Sequence, residues 1–339
     1  MKRTGLVLGV NLLLGAAALA WVLRRFGAPA IALLARGPSA LGLAGVLVAI
    51  AAGLGLDALR WRILLDGLGV RPALLRLALL RAAGQSVGAV LPSAKLGGEP
   101  LRMYLCARAG VGGPDAVASV AVDRTLEIGA STAFACVFAV VLLGAGVPGL
   151  TGALVTVGLA AVGVAAGAGM TARRLARGAG LVTALARTVR VDRLGAVGSR
   201  LDVIEAAERA AARLVAEPRR LGRAFASGVA ANLVVLVEYY WLLGAFGLPA
   251  DPLAVVGAIF ATGAAHALPV PGAVGALEGA IVWLFGVLGH PPEVGLAVGL
   301  AVRLRELVWV APGLAYVLGV PFRRDLPWLG GVGGGRRNP

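Results

Sequence analysis

Apolar runs long enough to cross a membrane recur along the whole chain, and short polar segments rich in arginine separate them. A helix needs about 20 apolar residues to span the hydrocarbon core of a bilayer. The run 128–172 carries no charge and divides into two at the Pro- and Gly-rich segment 144–149. The pattern therefore predicts an all-α transmembrane bundle with about six full spans: residues 5–23, 37–56, the two halves of 128–172, 224–247 and 294–320.

Two further apolar regions stop at a proline and turn back. Residues 74–92 stop at Leu91-Pro92 and are followed by 95–109, and residues 253–268 are followed by 273–288 after a Pro/Gly break. Each region predicts two short helices around a break, which suits a re-entrant hairpin. Irregular backbone at membrane depth is tolerated only where protein or a wet cavity covers it.

The predicted topology follows from the number of crossings and from the arginine-rich segments. With Lys2-Arg3 on the cytoplasmic side, both termini are cytoplasmic, although this leaves Arg24, Arg25 and Arg36 outside. The two hairpins then enter from opposite faces, which is typical of transporters with inverted repeats. The start of the chain resembles a secretory signal, but the repeated re-entry into the membrane favours an uncleaved first span.

Composition supports a membrane environment and excludes a soluble enzyme. The chain is 59% hydrophobic and 14% charged, whereas soluble domains are about one quarter charged. We expect one integral membrane domain, 1–339, in a bacterial inner (cytoplasmic) membrane. It divides into an N-terminal half (5–171), an Arg-rich cytoplasmic connector (172–223), a C-terminal half (224–320) and a tail (321–339). The spacing in 202–215 predicts a helix that lies along the anionic leaflet or acts as a solvated connector.

The basic excess does not indicate a nucleic-acid partner, although Lys and Arg number 32 against 17 acids. Much of the positive charge flanks apolar runs, as the positive-inside rule expects, and does not form a soluble basic face. The two cysteines and two histidines have no metal-ligand spacing, so neither a metal nor a cofactor is predicted.

The segment 91–102 (LPSAKLGGEPLR) is the first group of candidate site residues. On a helix, Lys95 and Glu99 are four residues apart and Glu99 and Arg102 are three apart, so all three would share a face. Mixed charge beside an apolar hairpin is costly in hydrocarbon. It predicts a substrate site, and the alternative is an interfacial cap held by salt bridges.

A second charged group leads directly into an uncharged span. Asp123 and Glu127 lie one helical turn apart, and Arg124 is placed to pair with Glu127. Just inside a membrane entry, these side chains are expected to face the bundle or a groove. The alternative for Arg124 is a simple anchor at the helix end.

The segment around Pro269 and Pro271 is the most specific. Gly272 and Gly275 turn the chain there, and Glu278 lies in the first two turns of the next helix. The start of a helix attracts anions, so the segment predicts a phosphate-binding turn. The glycines also form a G-x-x-x-G pair with Gly279, and close helix packing is the competing interpretation.

Two arginines lie inside the last predicted span. Arg303 and Arg305 point about 200° apart around a helix, so they cannot share one face. We expect one of them to face the groove and pair with Glu278 or a lipid phosphate. The other would snorkel or stack on Trp309.

Three motifs together resemble the lysylphosphatidylglycerol synthase transmembrane-region family, also called flippase-like domain proteins. They are L-P-x-x-K/R-x-G-x-E-x-x-R, then D-R-x-x-E, then P-x-P-G-x-x-G-x-x-E, within a resemblance that covers about residues 5–320. Family members often read P-G-G-x-G where this chain has Ala273. The resemblance implies lipid translocation, as in the membrane half of multiple peptide resistance factor proteins. It places these residues on recurring polar positions of the family: Lys95, Glu99, Arg102, Arg124, Glu127, Glu278 and either Arg303 or Arg305.

The expected function is therefore a lipid flippase that moves an anionic or polyprenyl-phosphate-linked lipid between leaflets. Arginines would bind the phosphate, and Glu99, Glu127 and Glu278 would balance charge and could couple protons. No aminoacyl-transferase domain follows, so synthesis of an aminoacylated lipid is not expected, and the chain is expected not to be an enzyme. The alternatives are a membrane-embedded transferase with a lipid-linked donor and a non-catalytic partner of a lipid-modifying enzyme.

Overall fold

A computed structural model describes residues 2–90, 97–146, 151–177, 201–268 and 270–319. Over these ranges the chain forms eleven α-helices and a single 3-10 turn at Pro271–Ala273, with no strand. This confirms the predicted all-α architecture for the described residues. The helices are α1 (Lys2–Leu34), α2 (Ala40–Gly67), α3 (Leu74–Val90), α4 (Glu99–Arg108), α5 (Gly113–Gly144), α6 (Thr151–Ala176), α7 (Leu201–Val215), α8 (Pro218–Ala245), α9 (Pro252–Ala267), α10 (Ala276–Val287) and α11 (Pro292–Gly319).

Four helices are long and apolar enough to cross a membrane: α2, α5, most of α6, and α8. The helices α9 and α10 are apolar but short. The expected break between two spans is present, because α5 ends at Gly144 and α6 begins at Thr151. These features describe a multi-pass helical membrane protein, while the count of six spans with two re-entrant hairpins stays a prediction.

Two helices extend beyond the predicted spans. The first predicted span, 5–23, lies within α1, which continues past Arg24-Arg25 to Leu34 with both arginines exposed. Arginine is a good helix former whose long side chain can reach a polar surface. Asp57 and Arg60 follow the second predicted span, 37–56. They lie within α2, which can continue because partner side chains neutralise both charges.

Helices α2 and α8 pack antiparallel along their length. Near the start of α2, Gly42 lies directly against Ala245 at the end of α8, and near its end Gly67 lies against Arg220. A side chain at Gly42 would overlap Ala245, so glycine permits this close approach. The start of α2 and the end of α8 therefore lie on one side of the bundle, and their opposite ends lie on the other.

The helices α3 and α4 turn back on one another through a glycine contact. A Cβ atom at Gly98 would overlap the Gly84 carbonyl, so the two backbones touch. The structure corrects the predicted start of the second segment, because α4 begins at Glu99 with Gly98 as its N-cap. Lys95 lies outside the described residues.

The predicted connector helix is confirmed as α7, and its apolar face is covered by protein. Ala210 and Leu214 are fully buried in a cluster with side chains from α2, α5 and α8. Arg213 of α7 also pairs with Asp115 at the start of α5, at 3.1 Å. The apolar face is therefore unavailable to the lipid leaflet, because it docks α7 onto the bundle.

Candidate functional site

Charged side chains from four helices meet in one network, which we call the Asp123 cluster. It contains equal numbers of arginines and carboxylates, so the network is electrically balanced. Such balance is needed because an unpaired buried charge costs several kcal/mol, on the order of 3–5. The members are Asp57 and Arg60 of α2, Arg81 of α3, Glu99 and Arg102 of α4, and Asp123, Arg124 and Glu127 of α5.

The centre of this cluster is a single carboxylate shared by three arginines. Asp123 is fully buried and accepts hydrogen bonds from Arg60 Nε at 2.7 Å, Arg81 Nη1 at 2.9 Å and Arg102 Nη2 at 2.7 Å. Because these donors belong to α2, α3 and α4, Asp123 ties three helices to α5. Arg60 and Arg81 also donate to Glu127, at 3.1 and 2.7 Å.

One edge of the Asp123 cluster is partly exposed. The exposed fractions of Arg124, Glu127 and Glu99 are 19%, 22% and 15%, whereas the three central arginines are at most 3% exposed. Arg124 donates from Nη1 to Glu127 at 2.8 Å. Its Nε is buried without a hydrogen-bond acceptor and lies 3.8 Å from a Glu99 oxygen. The edge therefore has a guanidinium with a spare donor.

Local packing fixes the position of Arg102. Gly84 of α3 has no side chain, and a Cβ atom there would overlap the Arg102 side chain. On its other side, the guanidinium lies 4.4 Å from the centre of the Trp61 ring, a favourable cation–π contact. Trp61 is itself fixed by a hydrogen bond from its indole nitrogen to Ser119 at 3.1 Å.

A second network, the Arg303 cluster, joins Arg303, Glu278, Glu306 and His266. Arg303 donates from Nε to Glu278 at 2.7 Å and from Nη1 to Glu306 at 2.9 Å. It also donates to the carbonyls of Gly272 and Ala273, and from Nη2 to the second Glu278 oxygen. A guanidinium has five N–H groups, so these five contacts use all of them.

The turn before α10 has a left-handed backbone at three positions. The φ angles are +58° at Gly272, +49° at Ala273 and +76° at Gly275. Among the described residues, Ala273 is the only non-glycine with positive φ, and it stands where the family often has glycine. Gly275 is the N-cap of α10, and its backbone N–H donates to Glu278 at 2.9 Å. The anion at this helix start is therefore Glu278 itself.

The competing interpretation of the G-x-x-x-G pair is wrong. A Cβ atom at Gly279 would have nothing within 4 Å, so this residue permits no close helix contact. Gly275 serves the turn, because its positive φ is easily adopted only by glycine.

The two arginines of α11 have different partners. Arg303 is the one that pairs with Glu278, and Arg305 pairs with Glu238 of α8 at 2.6 and 2.9 Å. Arg305 also lies over the rings of Tyr239 and Trp309, at 5.0 and 5.8 Å from their centres. The stacking on Trp309 was expected. Snorkelling was not found, because the Arg305 side chain is only 13% exposed.

The predicted site residues thus fall into separate groups. Glu99, Arg102, Asp123, Arg124 and Glu127 meet in the Asp123 cluster. Gly272, Gly275, Glu278 and Arg303 meet at the turn before α10, where Pro271 begins the 3-10 turn. Lys95 and Pro269 lie outside the described residues. Within the described ranges, no group of His, Cys, Asp or Glu side chains could hold a metal ion.

The sequence interpretation missed several members of these networks. Arg81 could have been found, because a lone arginine within an apolar helix is costly unless it is paired inside the bundle. Asp57 and Arg60 are three residues apart and bond at 2.9 Å, but they follow an apolar run, where charges are also typical of a cytoplasmic flank. Glu306 lies three residues after Arg303 and was locally placed to pair with it, whereas His266 gave no local signal, because its contact with Glu306 joins two different helices, α9 and α11.

Comparison with known proteins agrees with the helical architecture. Residues 6–313 match the family described as Lysylphosphatidylglycerol synthase TM region. No curated protein matches the chain. The match covers nearly the whole chain, including all the described members of both clusters. The chain belongs to the lysylphosphatidylglycerol synthase TM region family.

Proposed function

We propose that this protein moves an anionic phospholipid or a polyprenyl-phosphate lipid between the leaflets of a bacterial inner membrane. The observation that carries this proposal is the open edge of the Asp123 cluster. There, Arg124 is partly exposed, has a single hydrogen-bonded carboxylate partner, Glu127, and has a buried Nε without an acceptor. A guanidinium binds phosphate oxygens with strong, charge-assisted hydrogen bonds.

The balance of the Asp123 cluster explains why the lipid phosphate would bind at this edge. Three of its arginines are committed to Asp123 and at most 3% exposed, so they position the network. The Nε–H of Arg124 can donate to a phosphate oxygen while Nη1 keeps its bond to Glu127. The lipid tails would stay in the bilayer while the head group follows the charged edge, which lowers the cost of moving a phosphate.

Movement between leaflets, as opposed to binding alone, is supported by the two broken helical pairs. A Cβ atom at Gly272, before α10, would lie 3.8 Å from the Ala89 carbonyl near the end of α3. The end of α3 and the turn between α9 and α10 thus approach each other. In the proposed topology these are re-entrant hairpins that enter from opposite faces, within six full spans. Broken helices that meet near the midplane are typical of sites in secondary transporters.

The proposed orientation puts both termini in the cytoplasm. The end of α2, the start of α5, α7 and the start of α8 lie on one side, as the contacts Gly67–Arg220 and Arg213–Asp115 indicate. This side carries the arginine-rich connector, and positively charged loops favour the cytoplasmic side. The chain lacks a Walker loop, so the energy would come from a gradient or from removal of the product.

The test is translocation of fluorescent lipids in proteoliposomes, with Arg124→Gln as the variant. Arg220→Gln is the matched control, because Arg220 has 21% exposure and also pairs with a glutamate three residues away. Loss of one charge-assisted phosphate contact should slow transport by at least about tenfold in Arg124→Gln, and the control should keep the wild-type rate. The proposal fails if the wild-type protein gives no rate above empty vesicles with phosphatidylglycerol, cardiolipin and polyprenyl-phosphate lipids.

A membrane-embedded transferase remains the runner-up. A transferase would need a carboxylate base, but Asp57, Glu99, Asp123 and Glu127 each contact at least one arginine. This arrangement favours charge balance over proton abstraction. Conversion of a labelled lipid donor by the purified protein would decide for the transferase. A non-catalytic partner of a lipid-modifying enzyme would lose function together with the partner complex, independently of Arg124.

A further inference from the structure

The side chain of His266 contacts an oxygen at each of its ring nitrogens. In the last turn of α9, Nδ1 lies 2.8 Å from the Thr262 carbonyl, and Nε2 lies 2.9 Å from Oε1 of Glu306 on α11. A carbonyl oxygen only accepts hydrogen bonds, so Nδ1 must carry a hydrogen. In the neutral ring the Nε2 lone pair would then face a carboxylate oxygen. A contact of 2.9 Å therefore requires a proton between His266 and Glu306.

We propose that His266 and Glu306 bind one exchangeable proton, and that this proton controls whether Arg303 can bind an anionic head group. The control of head-group binding by this proton rests on the proposed function. The proton site itself follows from the geometry of His266 and Glu306 and does not depend on that function. Glu306 connects the two parts, because its Oε1 faces His266 and its Oε2 accepts from Arg303 Nη1 at 2.9 Å.

The charge of the Arg303 cluster depends on this proton. Without it, two carboxylates, Glu278 and Glu306, face one guanidinium, and the resulting negative charge repels a phosphate. With it, the cluster is neutral. Arg303 also uses all five of its N–H groups, so an anion can bind only if one acceptor leaves. A protonated Glu306 is more easily displaced than the Glu306 carboxylate, because a neutral carboxyl holds a guanidinium less strongly than a carboxylate does.

The other charged groups around the pair are already matched or favour the proton. From α8, Glu238 is paired with Arg305, and the Tyr239 phenol lies against Thr262. From α10, Glu278 is held by Arg303. Helix α5 also packs on α9, and its membrane-embedded charges are bound in the Asp123 cluster. Finally, the negative end of the α9 dipole favours a cation at His266.

This arrangement couples protons to the anionic lipid. Coupling between two bound species is reciprocal, so lipid binding should draw a proton onto the pair and protonation should strengthen lipid binding. When one proton is taken up with one lipid, the affinity can change by up to about tenfold per pH unit. A proton gradient would then drive transport without a nucleotide.

The proton site can be tested apart from any lipid by NMR of ¹⁵N-histidine in the detergent-solubilised protein. The chain has only two histidines, so His290→Gln leaves the signal of His266 alone. At a fixed pH, Nδ1 should carry a hydrogen, and the Nε2 signal should show a proton shared with Glu306. Glu306→Gln should change the Nε2 signal. An unprotonated Nδ1, or a signal insensitive to Glu306→Gln, would overturn the proposal.

The coupling is tested by proton uptake when short-chain phosphatidylglycerol is added to weakly buffered protein. We expect uptake approaching about one proton per protein, and none in His266→Gln. Uptake without any lipid translocation in proteoliposomes would support the proton site and contradict the proposed transport. Translocation without uptake, and with a rate independent of an imposed pH gradient, would overturn the coupling while leaving the proposed function intact.

Discussion

The substitution Asp123→Asn tests whether the Asp123 cluster holds the bundle together. The amide keeps the shape of the side chain but removes the charge that Arg60, Arg81 and Arg102 share. Each charge-assisted hydrogen bond contributes about 1.5–3 kcal/mol. The three arginines keep other carboxylate partners, Asp57, Glu99 and Glu127, so the losses do not simply add. Breaking one buried ion pair costs about 3–5 kcal/mol, and we expect Asp123→Asn to lower the free energy of unfolding by this amount.

The assay is unfolding of the purified protein by a denaturing detergent, followed by circular dichroism. The matched control is Asp115→Asn on the same helix, because Asp115 pairs at 3.1 Å with Arg213, which is 63% exposed. An exposed ion pair contributes about 0–1 kcal/mol to stability, so the free energy of unfolding of the control should fall by no more than that. Equal losses in the two variants would refute the reasoning, because they would mean that the central arginines are hydrated and do not depend on Asp123.

Three further predictions concern the turn and the helix contacts, and each is tested by substitution in the same unfolding assay. Gly275→Ala should lower the free energy of unfolding by about 1–2 kcal/mol, because the φ angle of Gly275 is +76°. Gly279→Ala should leave the free energy of unfolding unchanged or raise it by up to about 1 kcal/mol. The reverse order of the two effects would support the helix-packing interpretation of these glycines. Gly313→Ala should lower the free energy of unfolding by about 1–3 kcal/mol, since the added Cβ would overlap backbone and hydroxyl atoms of α3. An unfolding midpoint equal to that of the wild-type protein would contradict this close approach. Glu278→Gln should lower the free energy of unfolding by about 3–5 kcal/mol, because Arg303 loses a charged partner. Adding Arg303→Gln to this variant should recover part of that stability. Additive losses in the double variant would show that the two residues do not act as a pair.

The parts of the site that the sequence predicted are local. Glu99 with Arg102, and Arg124 with Glu127, are three residues apart on a helix, and both pairs bond at 2.8–2.9 Å. The break before α10 was also predictable, because Pro271 and Gly272 interrupt an apolar run at a position where the backbone turns left-handed. In each case the geometry of one helix or one turn decides the contact.

The parts that could not be predicted depend on how distant helices pack. Arg60 and Asp123 are separated by 63 positions, and Arg305 and Glu238 by 67. Nothing in the apolar pattern indicates that the far end of α2 faces α5, since a charge after an apolar run is also what a cytoplasmic flank would have. The partner of a buried arginine is chosen by tertiary structure, and the sequence shows only that some partner must exist.

The two clusters have different roles in this account. In the Asp123 cluster, three arginines are fixed by one carboxylate, and Arg124 keeps a spare donor at the edge. In the Arg303 cluster, every guanidinium N–H is used, and an anion can bind only if one acceptor leaves, which we propose is Glu306. We therefore expect the first cluster to bind the phosphate at its edge, and the second to bind the head group only when the His266–Glu306 pair carries its proton.

The most direct test of the central claim is a measurement of lipid binding by native mass spectrometry of the purified protein. The wild-type protein should retain an anionic lipid in preference to phosphatidylcholine when both are offered in equal amounts. Arg124→Gln should lose this preference, and the matched control Arg220→Gln should keep it. If wild-type protein and Arg124→Gln retain the same lipids in the same proportions, Arg124 does not bind the head group and the proposed site is wrong.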